Sequence, residues 1–237
     1  MERFRAPAVG LRSKSTPTDL VSEADERAER AAVDFIRERR PDDALVAEEG
    51  ARAGGSSGLR WDLDPLDGTI NYLYGLPHWC VSVACSDADG RIAGAILDPS
   101  RDELFSATRS GGAWLGTRRL ATTAASDLGH ALVATGFSYQ PAERAAQARI
   151  VARIAGGVRD IRRAGSAALD LAWVAAGRLD GYFEVSRNPW DSAAGELLVR
   201  EAGGAVSWTE HTEIVASAPG VHAALLALVQ AAHQDPG

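Results

Sequence analysis

Asp64 and Asp67 stand three apart around Pro65 in the stretch WDLDPLDGTIN (61–71), with Gly68 and Thr69 directly behind them. The pattern reads as a strand that ends at the two carboxylates and gives way to the first turn of a short helix through Asn71, with both carboxylates free to face one point. Amides at a helix start attract an anion, whereas clustered carboxylates repel one. The two features make sense together if a hard cation bridges them, and a phosphate on a metal ion is the simplest occupant. Mg2+ takes oxygen ligands from carboxylates, waters and substrate phosphate, and no Cys or His cluster competes here for a softer metal. Taken alone, Asp-Pro-Leu-Asp-Gly is also the material of an ordinary surface turn. Other carboxylates sit at element edges. Glu48-Glu49 precedes a Gly/Ser-rich stretch and could be a solvated pair, Asp191 precedes an amphipathic helix and could be its N-cap, and Asp25 could be a polar-face residue of the first helix.

The elements that must position these groups can be read from periodicity. Residues 22–40 form a helix in which Ala24, Ala28, Ala31, Phe35 and Ile36 recur at helical spacing, with Ser22 as N-cap, Asp25 three residues on, and Pro41 as the stop. A strand at 44–48 follows, then GARAGGSSGL (50–59), which cannot bury a face and reads as a mobile loop. From residue 80 the strand-like runs CVSVACSD, RIAGAILD and ELFSATR make an antiparallel meander with a turn at 87–90. After about residue 126 strands and helices alternate: 131–135, 141–155, 158–163, 166–176 and 181–185, a helix over 192–202, strands at 205–208 and 213–217, and a helix over 219–233. The layout is an α/β, or layered α+β, sandwich, with an N-terminal α+β half (1–125) and a C-terminal α/β half (126–237) sharing one core as a single catalytic unit.

Composition narrows the functional classes. The chain has 237 residues, 46% apolar and 24% charged, an ordinary globular balance. Asp plus Glu number 32 against 25 for Lys plus Arg, a net charge of −7, with no basic run of the kind that binds nucleic acid. No segment is apolar for long enough to span a membrane or to act as a secretion signal, so a cytoplasmic location is expected. Cys80 and Cys85, five apart along one strand, point to opposite faces and read as buried thiols rather than a bridge. The five histidines, His78, His130, His211, His222 and His233, share no motif and read as structural or surface residues. Lys14 is the one lysine in the chain.

Four blocks, KSTPTDLVSEAD (14–25), PDDALVAEEG (41–50), WDLDPLDGTINYLYGLP (61–77) and the segment from Gly165 to Gly204 containing GSAALD and NPWDSAAGE, run in order over nearly the whole chain. Together they resemble the inositol monophosphatase family of Mg2+-dependent, lithium-inhibited phosphatases. That resemblance implies the alternating αβαβα sandwich of the sugar-phosphatase type, a homodimer, and a small phosphate ester as substrate. It implies one metal site at Glu48, Asp64 and the carbonyl of Leu66, a second at Asp64, Asp67 and Asp191, and a third, weaker ion near Glu48 with Glu49 close by. It further implies that Thr69, hydrogen-bonded to Asp25, orients the attacking water, that the amides of Gly68 and Thr69 hold phosphate oxygens, and that Gly165, Ser166, Ala167, Glu184 and Asp191 form the substrate wall. Glu184 would take a polyol hydroxyl, and Lys14 would sit on a loop closing over the metals. Family members usually carry a longer N-terminal helix ahead of this lysine, and here 13 residues precede Lys14, so part of one outer helix is expected to be missing or short.

Two ions about 3.5–4 Å apart can activate a water and neutralise both the attacking and the leaving oxygen of an in-line displacement, so no covalent protein nucleophile is needed. The pair Asp64 and Asp67 is spaced Asp-x-x-Asp, whereas aspartyl-phosphate phosphatases use Asp-x-Asp. Inositol-1-phosphate is the first choice of substrate because of Glu184. Histidinol phosphate, fructose-1,6-bisphosphate and a 3′-phosphonucleotide are the alternatives, and a non-catalytic metal-and-phosphate-binding module is the alternative of another class. Arg187, between Glu184 and Asp191, is placed near the leaving group, where it would favour a second anionic group, with Arg162 or Arg163 as the other basic candidates.

Overall fold

Ser22 starts the first long helix with a capping box: its hydroxyl accepts from the Ala24 amide at 3.2 Å, and Asp25 Oδ2 accepts from the Ser22 amide at 2.9 Å. A computed structural model describes residue 4 and residues 10–13, 20–185 and 188–234. Strands β1 (Arg12–Ser13) and β2 (Leu20–Val21) pair ahead of that helix, α1 (Glu23–Arg39). Then come β3 (Ala44–Ala47), β4 (Arg52–Ala53), β5 (Arg60–Asp67), α2 (Thr69–Leu73), β6 (Cys80–Asp87), β7 (Gly90–Asp98), β8 (Glu103–Thr108), β9 (Gly112–Leu115) and β10 (Arg118–Arg119). Next in the chain are β11 (Leu132–Thr135), α3 (Pro141–Ile154), β12 (Asp160–Arg162), α4 (Ala167–Ala175), β13 (Gly181–Val185), α5 (Pro189–Glu201), β14 (Ala205–Trp208), β15 (Glu213–Ser217) and α6 (Pro219–Gln234).

Two sheets organise these elements. An eight-stranded sheet runs β10-β9-β8-β7-β6-β5-β3-β4, with only β3 and β5 parallel, and a five-stranded sheet runs β12-β11-β13-β15-β14, with β11 parallel to both β12 and β13. Helices α4 and α5 pack between the sheets, α1 covers the far face of the first, and α3 and α6 cover the far face of the second. This is the expected αβαβα sandwich.

Period-two alternation explains the layering. In the five-stranded sheet Ala134, Tyr182 and Ile214 face α4 and α5, while their neighbours Val133, Phe183 and Val215 face α3 and α6. Both faces are apolar because both are covered. On β5, Leu63 joins Val33 and Ile36 of α1, which leaves Asp62 and Asp64 on the inner face. The central cluster draws Ile96 and Phe105 from one sheet, Tyr182 and Ile214 from the other, and Leu169, Leu171 and Leu198 from the helices between. Each fully buried side chain of this size stabilises by roughly 1.5–3 kcal/mol.

Three expectations are corrected. The buried face of α1 is Asp25, Glu29, Val33 and Ile36, whereas Ala31 and Phe35 face out, with Phe35 at 59% exposure under the Arg39 guanidinium. The inward carboxylates are tolerated because each accepts hydrogen bonds from the sheet side. Residues 50–59 hold β4 and are tied back by the amides of Ser56 and Ser57, which donate to the Asp42 carbonyl at 2.8 and 3.0 Å. Helix α5 begins at Pro189 with Asn188 as N-cap, three residues ahead of the expected start, because proline is suited to the first helical position. Asp191 therefore lies in the first turn and is not the cap.

Candidate active site

In a regular strand, residues three apart point to opposite faces, so Asp64 and Asp67 would separate. The β5–β6 register runs Asp64↔Ser82 and then Asp67↔Cys80, an irregularity that inserts one extra residue at Pro65-Leu66. That bulge restores the phase, and both carboxylates face the same cleft. The Leu66 amide donates to Asp64 Oδ1 at 3.0 Å, leaving the Leu66 carbonyl at the cleft wall.

The cleft has a volume of about 460 Å3 and is lined by Glu48, Asp64, Leu66, Asp67, Gly68, Thr69, Gly165, Ser166, Ala167, Glu184 and Asp191, among others. Every residue expected as a metal ligand or on the substrate wall is thus on one surface. Glu48 comes from the end of β3, Asp64 and Asp67 from β5, Asp191 from α5, and Glu184 from β13. Asp25 stands behind the wall: the Thr69 hydroxyl lies 3.0 Å from Asp25 Oδ1 and 3.1 Å from the Leu66 carbonyl, two acceptors for one proton. Glu49 does not line the cleft; its amide donates to Glu29. Lys14 and Arg187 lie outside the described residues.

The electrostatics are those of crowded anions. Burial, then the charges of Glu48, Asp67 and Asp191, push Asp64 well above the usual carboxylate range. Asp191 rises for the same reasons, with Glu48 and Asp67 its nearest opponents. Asp67 is pushed up to about 6 by burial, against the hydrogen bonds that it accepts from Ser166 Oγ and the Ala168 amide, both at 2.7 Å. Glu184 is pushed up to about 7 by burial, with Tyr182 donating to its Oε2 and Arg163 pulling the other way. Crowded carboxylates with an adjacent backbone carbonyl form an all-oxygen donor set, which suits a hard divalent cation. Among the described residues no three His, Cys, Asp or Glu side chains are close enough together to hold a metal ion by themselves. Mg2+ would draw its remaining ligands from waters and substrate oxygens.

Several site features were not foreseen. The segment Thr135–Gln140, with Glu143 and Gln147, forms the far wall of the cleft. The ends of β11, β12 and β13 all open there, and the carboxyl ends of parallel strands are where α/β sheets bind ligands; the strand pattern carried that signal. A Cβ on Gly136 would come within 2.0 Å of the Glu184 carboxylate and displace it. Glu29, one helical turn after Asp25, accepts from the amides of Glu49 at 2.7 Å and Ala51 at 3.1 Å, which ties the turn carrying Glu48 to α1. Asn71 Nδ2 donates to the carbonyls of His78 at 2.7 Å and Ala164 at 2.9 Å, joining α2 to the Gly165 segment. None of the five histidines lines the cleft, and both cysteines are free and buried. Two spacings that mark covalent nucleophiles elsewhere, Cys85-x5-Arg91 and Gly54-x-Ser56-x-Gly58, lie away from the cleft, and Arg91 Nη1 is held by Asp62 at 2.9 Å.

Comparison with known proteins agrees with this geometry. The sequence pattern of the Inositol monophosphatase family matches residues 1–235. The protein named Nus factor SuhB of Escherichia coli K12 is 43% identical over 208 residues, covering 87% of this chain and 78% of that one. The protein named Inositol-1-monophosphatase of Mycobacterium leprae is 42% identical over 239 residues, covering 93% and 81%. The solved structure of a Thermotoga maritima IMPase superposes with a TM-score of 0.89, with 30% identity over 100% of this chain and 93% of that one. Sequence blocks, layered fold and acidic cleft converge, and the chain belongs to the inositol monophosphatase family.

Proposed function

We propose that this protein is a Mg2+-dependent phosphate monoester hydrolase with inositol-1-phosphate as its first substrate. The observation that carries the reading is the set of four carboxylates, Glu48, Asp64, Asp67 and Asp191, gathered on one cleft with the Leu66 carbonyl and the start of α2. Glu48, Asp64 and Leu66 would hold one ion, and Asp64, Asp67 and Asp191 a second. When bound, Mg2+ supplies charge neutralisation on the phosphoryl oxygens and lowers the pKa of a water.

The chain's own groups do the rest. Asp25 accepts the hydrogen bond from the Thr69 hydroxyl, which leaves a Thr69 lone pair to accept from the attacking water and orient it. The amides of Gly68 and Thr69 line the cleft where a phosphate oxygen would sit. Ser166 and the Ala168 amide hold Asp67 in one orientation. Glu184, propped by Tyr182, offers an acceptor to a leaving-group hydroxyl. Pairing of two copies as a homodimer and the division of the chain into halves at about residue 125 belong to the same proposal. No helix among the described residues is long and apolar enough to cross a membrane.

The test is phosphate release from inositol-1-phosphate, histidinol phosphate, fructose-1,6-bisphosphate and 3′-phosphoadenosine 5′-phosphate, with Mg2+ and with EDTA, beside Asp67→Asn. Metal-dependent turnover that Asp67→Asn lowers by orders of magnitude with the fold intact supports the reading, and lithium is expected to inhibit it. Relatives named Nus factor SuhB are called factors, and a non-catalytic metal-and-phosphate-binding regulatory module is the second reading. Tight substrate binding without turnover in all four assays would select it.

A further inference from the structure

Two adjacent arginines leave the carboxyl end of β12 in different directions. Arg162 Nη1 donates to Asp160 Oδ2 at 2.6 Å on the exposed surface. Arg163 lines the cleft, with its Nη1 lying over Gly165, where a Cβ would come within 2.6 Å of it. Gly165 has φ +97°, so this crossing needs a residue without a side chain. The guanidinium carbon is 6.0 Å from the centre of the Phe137 ring. Among the described residues no carboxylate stands within ion-pair distance of Arg163, although Glu184 and Asp170 feel its charge.

The chain of contacts gives its position along a bound substrate. Asp67 is hydrogen-bonded to Ser166, Gly165 precedes Ser166, and Arg163 lies across Gly165. A leaving group that starts at Asp67 and passes Gly165 therefore meets Arg163 next, with Glu184 on the β13 side of the same cleft. Resting on the phosphatase reading above, we propose that Arg163 forms a second anion subsite at the leaving-group end, so that beside inositol-1-phosphate the cleft also takes polyol or sugar phosphate monoesters carrying a further phosphate or carboxylate. A guanidinium presents two parallel N–H donors to either anion. The Phe137 face holds the cation on the cleft side. A neutral leaving group would engage Glu184 alone and leave the Arg163 fork without an acceptor.

The experiment compares wild type, Arg163→Ala and Arg163→Lys on three probes: inositol-1-phosphate, fructose-1,6-bisphosphate as the phosphate arm and 2-phosphoglycerate as the carboxylate arm. kcat/KM is measured with Mg2+, and equilibrium binding is measured by calorimetry with Ca2+. Arg163→Ala is expected to weaken one or both doubly anionic probes about 100-fold and inositol-1-phosphate less than threefold, with Arg163→Lys between because it keeps the charge and loses the fork. The arm that responds identifies the anion. Equal losses on all three probes, or none on any, would overturn the subsite. Absence of hydrolysis in wild type would instead count against the phosphatase reading, and the binding ratios would still decide the subsite.

Discussion

Glu29 touches no cleft surface, yet its replacement by glutamine is expected to loosen Glu48. Its carboxylate is buried, at 7% exposure, and accepts from two backbone amides, Glu49 at 2.7 Å and Ala51 at 3.1 Å. Glutamine keeps one acceptor oxygen and turns an NH2 group toward the other amide, so one charge-assisted bond is lost and one buried donor is stranded. Those two effects together cost about 2–3 kcal/mol, or roughly a 30–150-fold shift in the local opening of the 48–51 turn. On its other side the turn is held by the Glu48 amide, which donates to the Leu63 carbonyl at 3.1 Å, so opening moves Glu48 relative to Asp64. Hydrogen exchange at the Glu49 and Ala51 amides is expected to quicken by that factor in Glu29→Gln. The Mg2+ concentration for half-maximal activity is expected to rise about tenfold, with kcat at saturating Mg2+ nearly unchanged. Wild-type exchange at both amides in a folded Glu29→Gln protein would refute the reasoning.

Glu184 gives a pH dependence of stability. Its folded pKa, about 7, lies above the ordinary carboxylate value, so the folded state binds the extra proton and metal-free stability falls as pH rises from the mid-4s to about 7, by up to about 1.4 kcal/mol per pH unit. Urea melts across that range are expected to show the slope, with Glu184→Gln removing the Glu184 share and leaving that of Asp64, Asp67 and Asp191; an unchanged slope in the variant would assign it elsewhere. Asn71→Ala removes two hydrogen bonds and leaves the carbonyls of His78 and Ala164 without that donor, at a cost of about 1–3 kcal/mol. Chemical denaturation measures that loss, and because Ala164 precedes Gly165, KM is expected to rise with it; a loss of stability at constant KM would mean that Asn71 supports only the fold.

The layered architecture was legible because each strand and helix declares its covered faces. Ala134, Tyr182 and Ile214 alternate with Val133, Phe183 and Val215 in a pattern that only a sheet covered on both sides produces. The acidic residues were legible for a different reason: the stretch from Asp64 to Gly68 alone reads equally as a surface turn, and its place among the four blocks in order singled out Asp64 and Asp67. What the chain order hid were interactions made by generic residue types. Glu29 looks like any polar-face glutamate, and its role depends on two amides 20 and 22 residues away. The start of α5 was misplaced because Asp191 is itself a good cap, and the choice of Asn188 rests on Pro189 filling the first helical position. The 135–147 wall was missed because its titratable groups, Tyr139, Glu143 and Arg144, form no motif, and only the convergence of three strand ends shows it as a ligand surface.

Asp25 and Glu29 lie one turn apart on the buried face of α1, each an acceptor for a different segment of the acidic cleft. Asp25 divides its oxygens: Oδ2 serves Ser22 through its amide and hydroxyl at 2.9 and 2.6 Å, and Oδ1 serves the Thr69 hydroxyl at 3.0 Å. Asp25→Asn can keep the Ser22 side with its remaining oxygen and must then turn an NH2 toward Thr69. The Thr69 oxygen accepts that hydrogen and sends its own proton to the Leu66 carbonyl, already 3.1 Å away. The hydrogen bonds to Ser22 and Thr69 are thus kept, so stability is expected to change by no more than about 1 kcal/mol. The direction of the Thr69 proton is reversed, however, and a lone pair that could orient the attacking water is used up, while the Leu66 carbonyl takes on a donor. Turnover is expected to fall at least 100-fold, and Asp25→Glu, which keeps two acceptor oxygens on a longer arm, is expected to recover part of it. An Asp25→Asn protein with wild-type kcat and an unchanged melt would show that the polarity of the Thr69 hydroxyl does not matter to the chemistry, and the role assigned to this pair would have to be withdrawn.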